Sequence, residues 1–307
     1  MKRVVLTGAT GTLGQAVAKA LTARGDTVVA LSRDAERGRR ALGEAVEVHT
    51  WPEPTAAPPP PDALAGADGV IHLLGETVAQ RWSNDAKRAI RESRELGTRM
   101  LVDGVLALED AERPGVLVSQ SATGYYGARG DEALDEQAHP GSDFLAGVVS
   151  TWESEALRAS DQLRVATTRT GVVLSSSGGA LAQMLPFFRL GIGGPVAGGR
   201  QYVPWVHLDD VVGALLFCLD NGNARGAINL TAPNPVTNAE LSKALGRALH
   251  RPAVLPVPGF ALRMLYGEMA EIVTTGQRAI PARLRELGYE FRFEEVDPAL
   301  EDVLASG

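Results

Sequence analysis

Val4-Val5-Leu6-Thr7-Gly8-Ala9-Thr10-Gly11-Thr12-Leu13-Gly14 is the stretch on which the reading of the fold turns. The apolar run Val4–Leu6 ends in Gly8, and Gly11 and Gly14 follow at three-residue spacing. Helical periodicity then starts at once with Ala16, Val17, Ala18, Ala20 and Leu21. A buried strand therefore runs into a glycine turn and out into a helix. Glycines let the chain turn tightly, let a phosphate come close to the backbone and let helix pack on strand. The free N–H groups at the helix start face that anion. In this setting GxxGxxG predicts a dinucleotide site, with Gly8, Thr10, Gly11, Thr12, Leu13 and Gly14 around the pyrophosphate. A tight turn with no ligand is the competing reading.

The next strand, Thr27–Leu31, ends in Ser32-Arg33, with Arg37 one helical turn on. A carboxylate in this place holds ribose hydroxyls, whereas a guanidinium suits a ribose 2′-phosphate. Ser32, Arg33 and Arg37 therefore predict NADP(H) over NAD(H). Arg39 and Arg40 read as a solvated helix face.

Strand and helix patterns alternate onward: Val46–His49, Gly69–Leu74, Gly115–Ser119 and Arg164–Thr168 as strands, with Asp85–Leu108 the clearest helix. Such alternation implies a doubly wound parallel sheet, a Rossmann-type α/β fold. Pro52–Pro61 reads as a surface excursion, neither helix nor central strand. Beyond Gly171 the pattern breaks. A glycine-dense loop at Gly191–Gly199 precedes a helix at Asp209–Leu219, a strand at Ala227–Leu230 and a helix at Asn238–Leu249. A last long helix is expected at Phe260–Val273. The expected division is a cofactor domain over 1–170 with a return segment at about 205–231. Segments 171–204 and 232–307 then form a smaller α/β substrate domain.

The 307 residues are 45% apolar and 22% charged, with a formal net charge of -7. That charge argues against nucleic acid or an anionic membrane as partner. The single cysteine, Cys218, lies in an apolar run and reads as a buried thiol, which suits a reducing compartment. The start does not read as a signal peptide, and no apolar run is long enough to span a membrane. The expectation is a cytoplasmic monomer or homodimer with a small-molecule substrate. The scattered histidines give no metal site.

The fingerprint, the strand end Val70-Ile71-His72-Leu73-Leu74-Gly75 and the stretch Val118–Thr123 followed by Tyr125-Tyr126-Gly127 resemble the extended short-chain dehydrogenase/reductases. Gly75-Glu76, Arg81-Trp82, Gly124–Gly127, Trp152-Glu153, Pro204–Asp210, Asn229–Thr237 and Gly267–Pro281 narrow this further. They are similar to the atypical "epimerase family", nucleoside-diphosphate-sugar epimerase-like, with a C-terminal domain of unknown function. The resemblance implies that Leu73, Leu74, Gly75, Ser119 and Arg169 lie along the cofactor. It also implies that Ser121 hydrogen-bonds the reacting carbonyl.

One departure is decisive for the chemistry. Reductases of this kind use Tyr and Lys four apart, the lysine lowering the tyrosine pKa. Here Tyr125, Tyr126, Tyr202, Tyr266 and Tyr289 are followed four places on by Arg129, Gly130, Val206, Ala270 and Phe293. Arg129 lies in a glycine-flanked loop. If Glu153 is the acid that trails the lysine, Leu145 and Val149 occupy the two catalytic positions on the helix expected at Asp143–Arg158. The substitute candidates are Ser121, Tyr125, Tyr126 and Glu76. Arg81, Trp82 and Tyr202 are expected at the substrate, and Arg169 is expected to stabilise an oxyanion or to pair with Glu76. His207 is either a general base or a structural histidine at a helix start. Two functions follow: an NADP(H)-dependent oxidoreductase or epimerase with a nonstandard proton donor, or a non-catalytic NADP(H)-binding sensor.

Overall fold

The alternating pattern builds a seven-stranded, all-parallel sheet in the computed structural model, which describes residues 1–305. Residues 306 and 307, the end of the expected substrate segment, lie outside the described residues. The strands are β1 (Arg3–Thr7), β2 (Thr27–Ser32), β3 (Val46–Thr50), β4 (Gly69–His72), β5 (Val116–Ala122), β6 (Arg164–Thr170) and β7 (Gly226–Leu230). Their spatial order is β7-β6-β5-β4-β1-β2-β3. The chain winds outward from β1 to β3, then returns to β4 and winds outward the other way. Its switch point falls between β1 and β4, where a crevice opens beyond the strand ends.

Successive residues of each strand face opposite sides, so the sheet has two cores. Val4 and Leu6 pack with Val28, Ile71 and Val118 under α1 (Thr12–Ala23) and the helix Leu208–Asp220. Val5 packs with Val29, Val70 and Leu117 under the helices Asn84–Leu106 and Phe144–Leu157. With α2 (Ala35–Leu42), the remaining helices of eight residues or more are, in chain order, α3 (Asn84–Leu106), α4 (Phe144–Leu157), α5 (Gly179–Arg189), α6 (Leu208–Asp220), α7 (Asn238–Ala248), α8 (Gly259–Tyr266) and α9 (Val296–Ala305). A separate core joins Leu174, Leu181, Leu185 and Phe188 to Leu241, Leu245, Leu300 and Val303, around the fully buried Trp205.

Three expectations change. The helix expected at Phe260–Val273 is broken: α8 stops at Gly267, whose φ of 63° is left-handed, and short turns follow at Gly267–Ala270 and Glu271–Thr274. Helices α5 and α9 are additions. Pro186 inside α5 masks its signal, but Leu181, Leu185 and Phe188 keep helical spacing. The proline-rich excursion is packed, with Trp51 buried and its Nε1 donating to Ala57 O at 2.8 Å. Pro61 even opens a helical turn, Pro61–Leu64, at the first position, where a missing N–H costs nothing. Among the described residues no helix is long and apolar enough to cross a membrane.

Candidate functional site

The three fingerprint glycines have different physical reasons. Gly8 has φ 65°, and a Cβ there would come 2.5 Å from Leu73 O. A Cβ on Gly14 would come 2.3 Å from Gly8 O. Protein packing thus requires both. Gly11 is extended (φ -77°, ψ 167°), and a Cβ on it would meet only Gly8 O, at 3.4 Å. It also begins α1, with no side-chain cap and no carboxylate in the first turn, so the orphan N–H groups of that turn face the crevice. Across from them, a Cβ on Gly178 would come 2.4 Å from Thr12 Oγ1, so the 175–178 loop rests on the fingerprint.

At the end of β2, Ser32 donates to Asp34 O, and Asp34 caps α2 through Arg37 N–H. Arg33 and Arg37 are exposed and have no ion-pair partner among the described residues. Gly38 keeps α2 close to the sheet, because a Cβ there would come 2.7 Å from Val48.

Beneath the β1–β4 crevice lies a buried relay. Leu73 N–H donates to Thr7 Oγ1, whose hydroxyl meets His72 Nδ1 at 2.8 Å, while His72 Nε2 meets Thr98 Oγ1 at 2.9 Å. Complete burial pushes His72 down to about 3, so its imidazole is neutral. These bonds fix the backbone of Leu73, Leu74 and Gly75 against Gly8.

At the ends of β5 and β6 the structure corrects several expectations. Arg169 does not pair with Glu76. It is buried and forked onto Glu153, with Nε–Oε1 2.8 Å and Nη2–Oε2 2.9 Å. Burial works against its charge, but the Glu153 carboxylate outweighs this and its pKa is raised. Its guanidinium also donates to Tyr126 Oη at 3.0 Å and to Glu136 O. It is therefore a structural cation, with four of its five N–H groups bonded within the protein. Ser121 is buried and donates its one proton to Glu153 Oε1 at 2.6 Å, so it has none for a carbonyl. Tyr126 is fully buried, and its hydroxyl meets Asn229 Oδ1 at 2.6 Å. Burial pushes it up to about 12. As a proton donor to a ligand in the cleft it is ruled out by geometry.

Tyr125 differs. It is half-buried, its hydroxyl has no partner among the described residues, and the Arg169 guanidinium lies 3.5 Å from its ring centroid. Thr123, overlooked in the sequence, begins the turn Thr123–Tyr126 with a hydroxyl that has no partner among the described residues. The motif's extra residue hid its place. Leu145 and Val149 stand beside Gly124, where a Cβ would come 3.6 Å and 4.0 Å from them. The helix that carries them starts at Phe144, with Asp143 as its cap.

Glu76 turns its carboxylate to Thr77 N–H at 3.0 Å. Trp82 is anchored through Nε1 to Val78 O and lies edge-on to Phe144 at 5.2 Å, while Arg81 is exposed and unpaired. Tyr202 lies across the smaller lobe under the Arg278 guanidinium, 5.3 Å from its ring, apart from Glu76. Ser119 is buried in β5, its hydroxyl only 3.4 Å from Gln120 O. His207 is the cap of α6: Nδ1 accepts Asp209 N–H at 3.1 Å, and its ring stacks on Phe293. Arg292 sits between Asp209 and Asp302, supplying the positive charge there.

Residues 4–231 match the NAD dependent epimerase/dehydratase family, and residues 257–303 match a domain of unknown function (DUF1731). An Arabidopsis thaliana protein, "Epimerase family protein SDR39U1 homolog, chloroplastic", is 39% identical, over 98% of this chain and 86% of that one. The Mycobacterium bovis "Epimerase family protein Mb2239" is 40% identical, over 97% and 96%. Among solved structures, human epimerase family protein SDR39U1 (isoform 2) with NADPH superposes with a TM-score of 0.88 at 32% identity, covering 99% of both chains. A UDP-galactose 4-epimerase at 16% identity and TM-score 0.73 shares the fold.

Proposed function

The chain belongs to the NAD dependent epimerase/dehydratase family, and from this we propose that it binds NADP(H) in the β1–β4 crevice and uses it on a small polar substrate, with sugars and nucleotide sugars the first classes to test. The observation that carries the cofactor reading is the pair of unpaired guanidinium groups, Arg33 and Arg37, at the end of β2. The openness of Gly11 and the bare first turn of α1 support it. The NADPH complex of the human relative agrees with it. Gly8, Thr10, Gly11, Thr12, Leu13 and Gly14 would hold the pyrophosphate, with Leu73–Gly75 alongside.

When bound, the cofactor supplies or accepts a hydride. The chain itself supplies the proton, and Tyr125 is the acid we assign to it. The cation over its ring favours negative charge developing on the phenol. Thr123 is placed in the same turn to donate to a substrate oxygen. Ser121, Glu153, Arg169 and Tyr126 then act as the frame that orients Tyr125. The sensor reading keeps one specific support: Leu145 and Val149 are apolar at the positions where the family resemblance puts the acid and its lysine.

Calorimetry with NADPH and NADH, followed by NADPH absorbance over a screen of aldehydes, ketones and nucleotide sugars, tests both halves. Turnover that drops about 100-fold in Tyr125→Phe supports the assignment. Turnover unchanged in that variant places the proton elsewhere. A chain that takes up neither dinucleotide overturns the proposal.

A further inference from the structure

Arg94, on α3, is a cation with no ion-pair partner among the described residues. Its Nη1 donates to Glu76 O at 3.0 Å and to Ile90 O at 3.1 Å. Its guanidinium lies 5.1 Å from the ring centroid of Trp152, which is buried on α4. Those contacts fix the plane and direction of the fork. A Cβ on residue 75 would come 3.1 Å from its Cζ and Nη2, so the guanidinium fills the space that Gly75 leaves open at the end of β4. Nε and Nη2 have no acceptor among the described residues, and no carboxylate lies within ion-pair distance. Three other cations near it are paired: Arg169 with Glu153, Arg129 with Glu132 and Lys87 with Glu268. Burial pushes Arg94 down to about 10, with the Glu76 charge only partly opposing. Arg81 and Arg91, both exposed and with no acid paired to them among the described residues, add positive charge near Trp82 and Phe144.

A planar guanidinium with two free N–H groups matches the geometry of a carboxylate or phosphate. We propose that Arg94 is the oxyanion receptor of this cleft, binding a carboxylate or phosphate group of the bound ligand through Nε and Nη2. The inference rests on the cleft being the NADP(H) site proposed above, and it defines the ligand class there as anionic. The oxyanion comes either from the cofactor's phosphates or from the substrate. In neither case does Arg94 stand in sequence where the family pair would be. It reaches the space from α3, over the ring of Trp152, which lies one helical turn along α4 from Val149.

The test uses the full chain, with R94Q and R94K as variants. NADPH is titrated calorimetrically, and then the loaded proteins are titrated with malonate and inorganic phosphate against sodium chloride at equal ionic strength. The Trp152 indole N–H resonance, assigned by sequential backbone and side-chain connectivities, reports in the unmodified protein and needs no variant to fold. If the substrate supplies the oxyanion, NADPH affinity in R94Q stays within twofold. Malonate or phosphate then shifts Trp152 in the loaded protein, and R94Q weakens that binding by about tenfold or more. If the cofactor supplies it, R94Q weakens NADPH by about tenfold or more, and the loaded protein takes up no further anion. R94K, with the charge but not the fork, falls between. The proposal is overturned if the protein loads NADPH, R94Q matches it within twofold, and neither anion moves Trp152. If neither dinucleotide binds, the cofactor reading fails separately, and the same anion titration of the unloaded protein decides this one.

Discussion

Alanine placed in turn at Gly8, Gly11 and Gly14 separates a packing glycine from a ligand glycine. At Gly8 the new Cβ meets Leu73 O at 2.5 Å in a left-handed backbone, and at Gly14 it meets Gly8 O at 2.3 Å. Both partners are main chain and cannot rotate away. Each variant is expected to lose about 2–4 kcal/mol or fail to fold. At Gly11 the backbone is extended and the nearest atom is 3.4 Å away. A weaker helix cap and a less flexible unfolded chain act in opposite directions there, so stability should change by less than about 1 kcal/mol. The methyl group instead enters the space in front of the first turn of α1. Losing one charge-assisted contact to a phosphate costs about 1.5–3 kcal/mol, or roughly 10- to 150-fold in NADPH affinity. Thermal melts followed by circular dichroism read the first quantity, and calorimetry reads the second. A Gly11→Ala protein that folds and binds NADPH within twofold of the parent would refute the reasoning, and so would a Gly8→Ala protein with an unchanged melt.

Arg33→Asp should reverse a preference for NADPH over NADH of at least about tenfold, and equal affinities in the parent protein remove the 2′-phosphate reading. His72 is neutral when folded and takes up a proton in the unfolded chain below about pH 6.5, so its contribution is intact above that pH and is lost as pH falls toward about 3. Between pH 7.5 and 5.5 this costs about 1.4 kcal/mol, and urea melts of His72→Asn should lack that slope. Tyr126→Phe should destabilise by about 1–3 kcal/mol by stranding Asn229 Oδ1 and an Arg169 N–H, without changing NADPH affinity. Tyr125→Phe should leave the melt within about 0.5 kcal/mol. Equal melts for the two variants would contradict the burial difference between the rings.

The sheet was legible because its signals are local. Val4–Leu6, Thr27–Leu31 and Gly69–Leu74 are apolar runs of strand length, and each proved to be a strand within a residue or two at either end. The C-terminal half was less so. Pro186 stands inside α5, and Gly267 cuts one helical pattern into pieces, while α9 carries Val296, Ala299, Leu300 and Val303 at plain helical spacing. That the sequence has no Tyr and Lys four apart was readable from residue types alone. What spacing cannot carry is where a proton already goes. Ser121 and Tyr126 look reactive as a list of residue types, yet both hydroxyls are committed to partners 32 and 103 residues away. Arg94 escaped attention because its meaning lies in having no ion-pair partner among the described residues, and sequence neighbours do not report that.

The touch between Gly178 and Thr12 makes the fingerprint a bearing as well as a binding loop. Thr12 opens α1 and also supports the 175–178 segment, which leads directly into Leu181 and the smaller core. A Cβ on residue 178 would meet the Thr12 hydroxyl, so the smaller lobe is seated against the glycine loop at one close contact that a larger side chain at 178 would have to push apart.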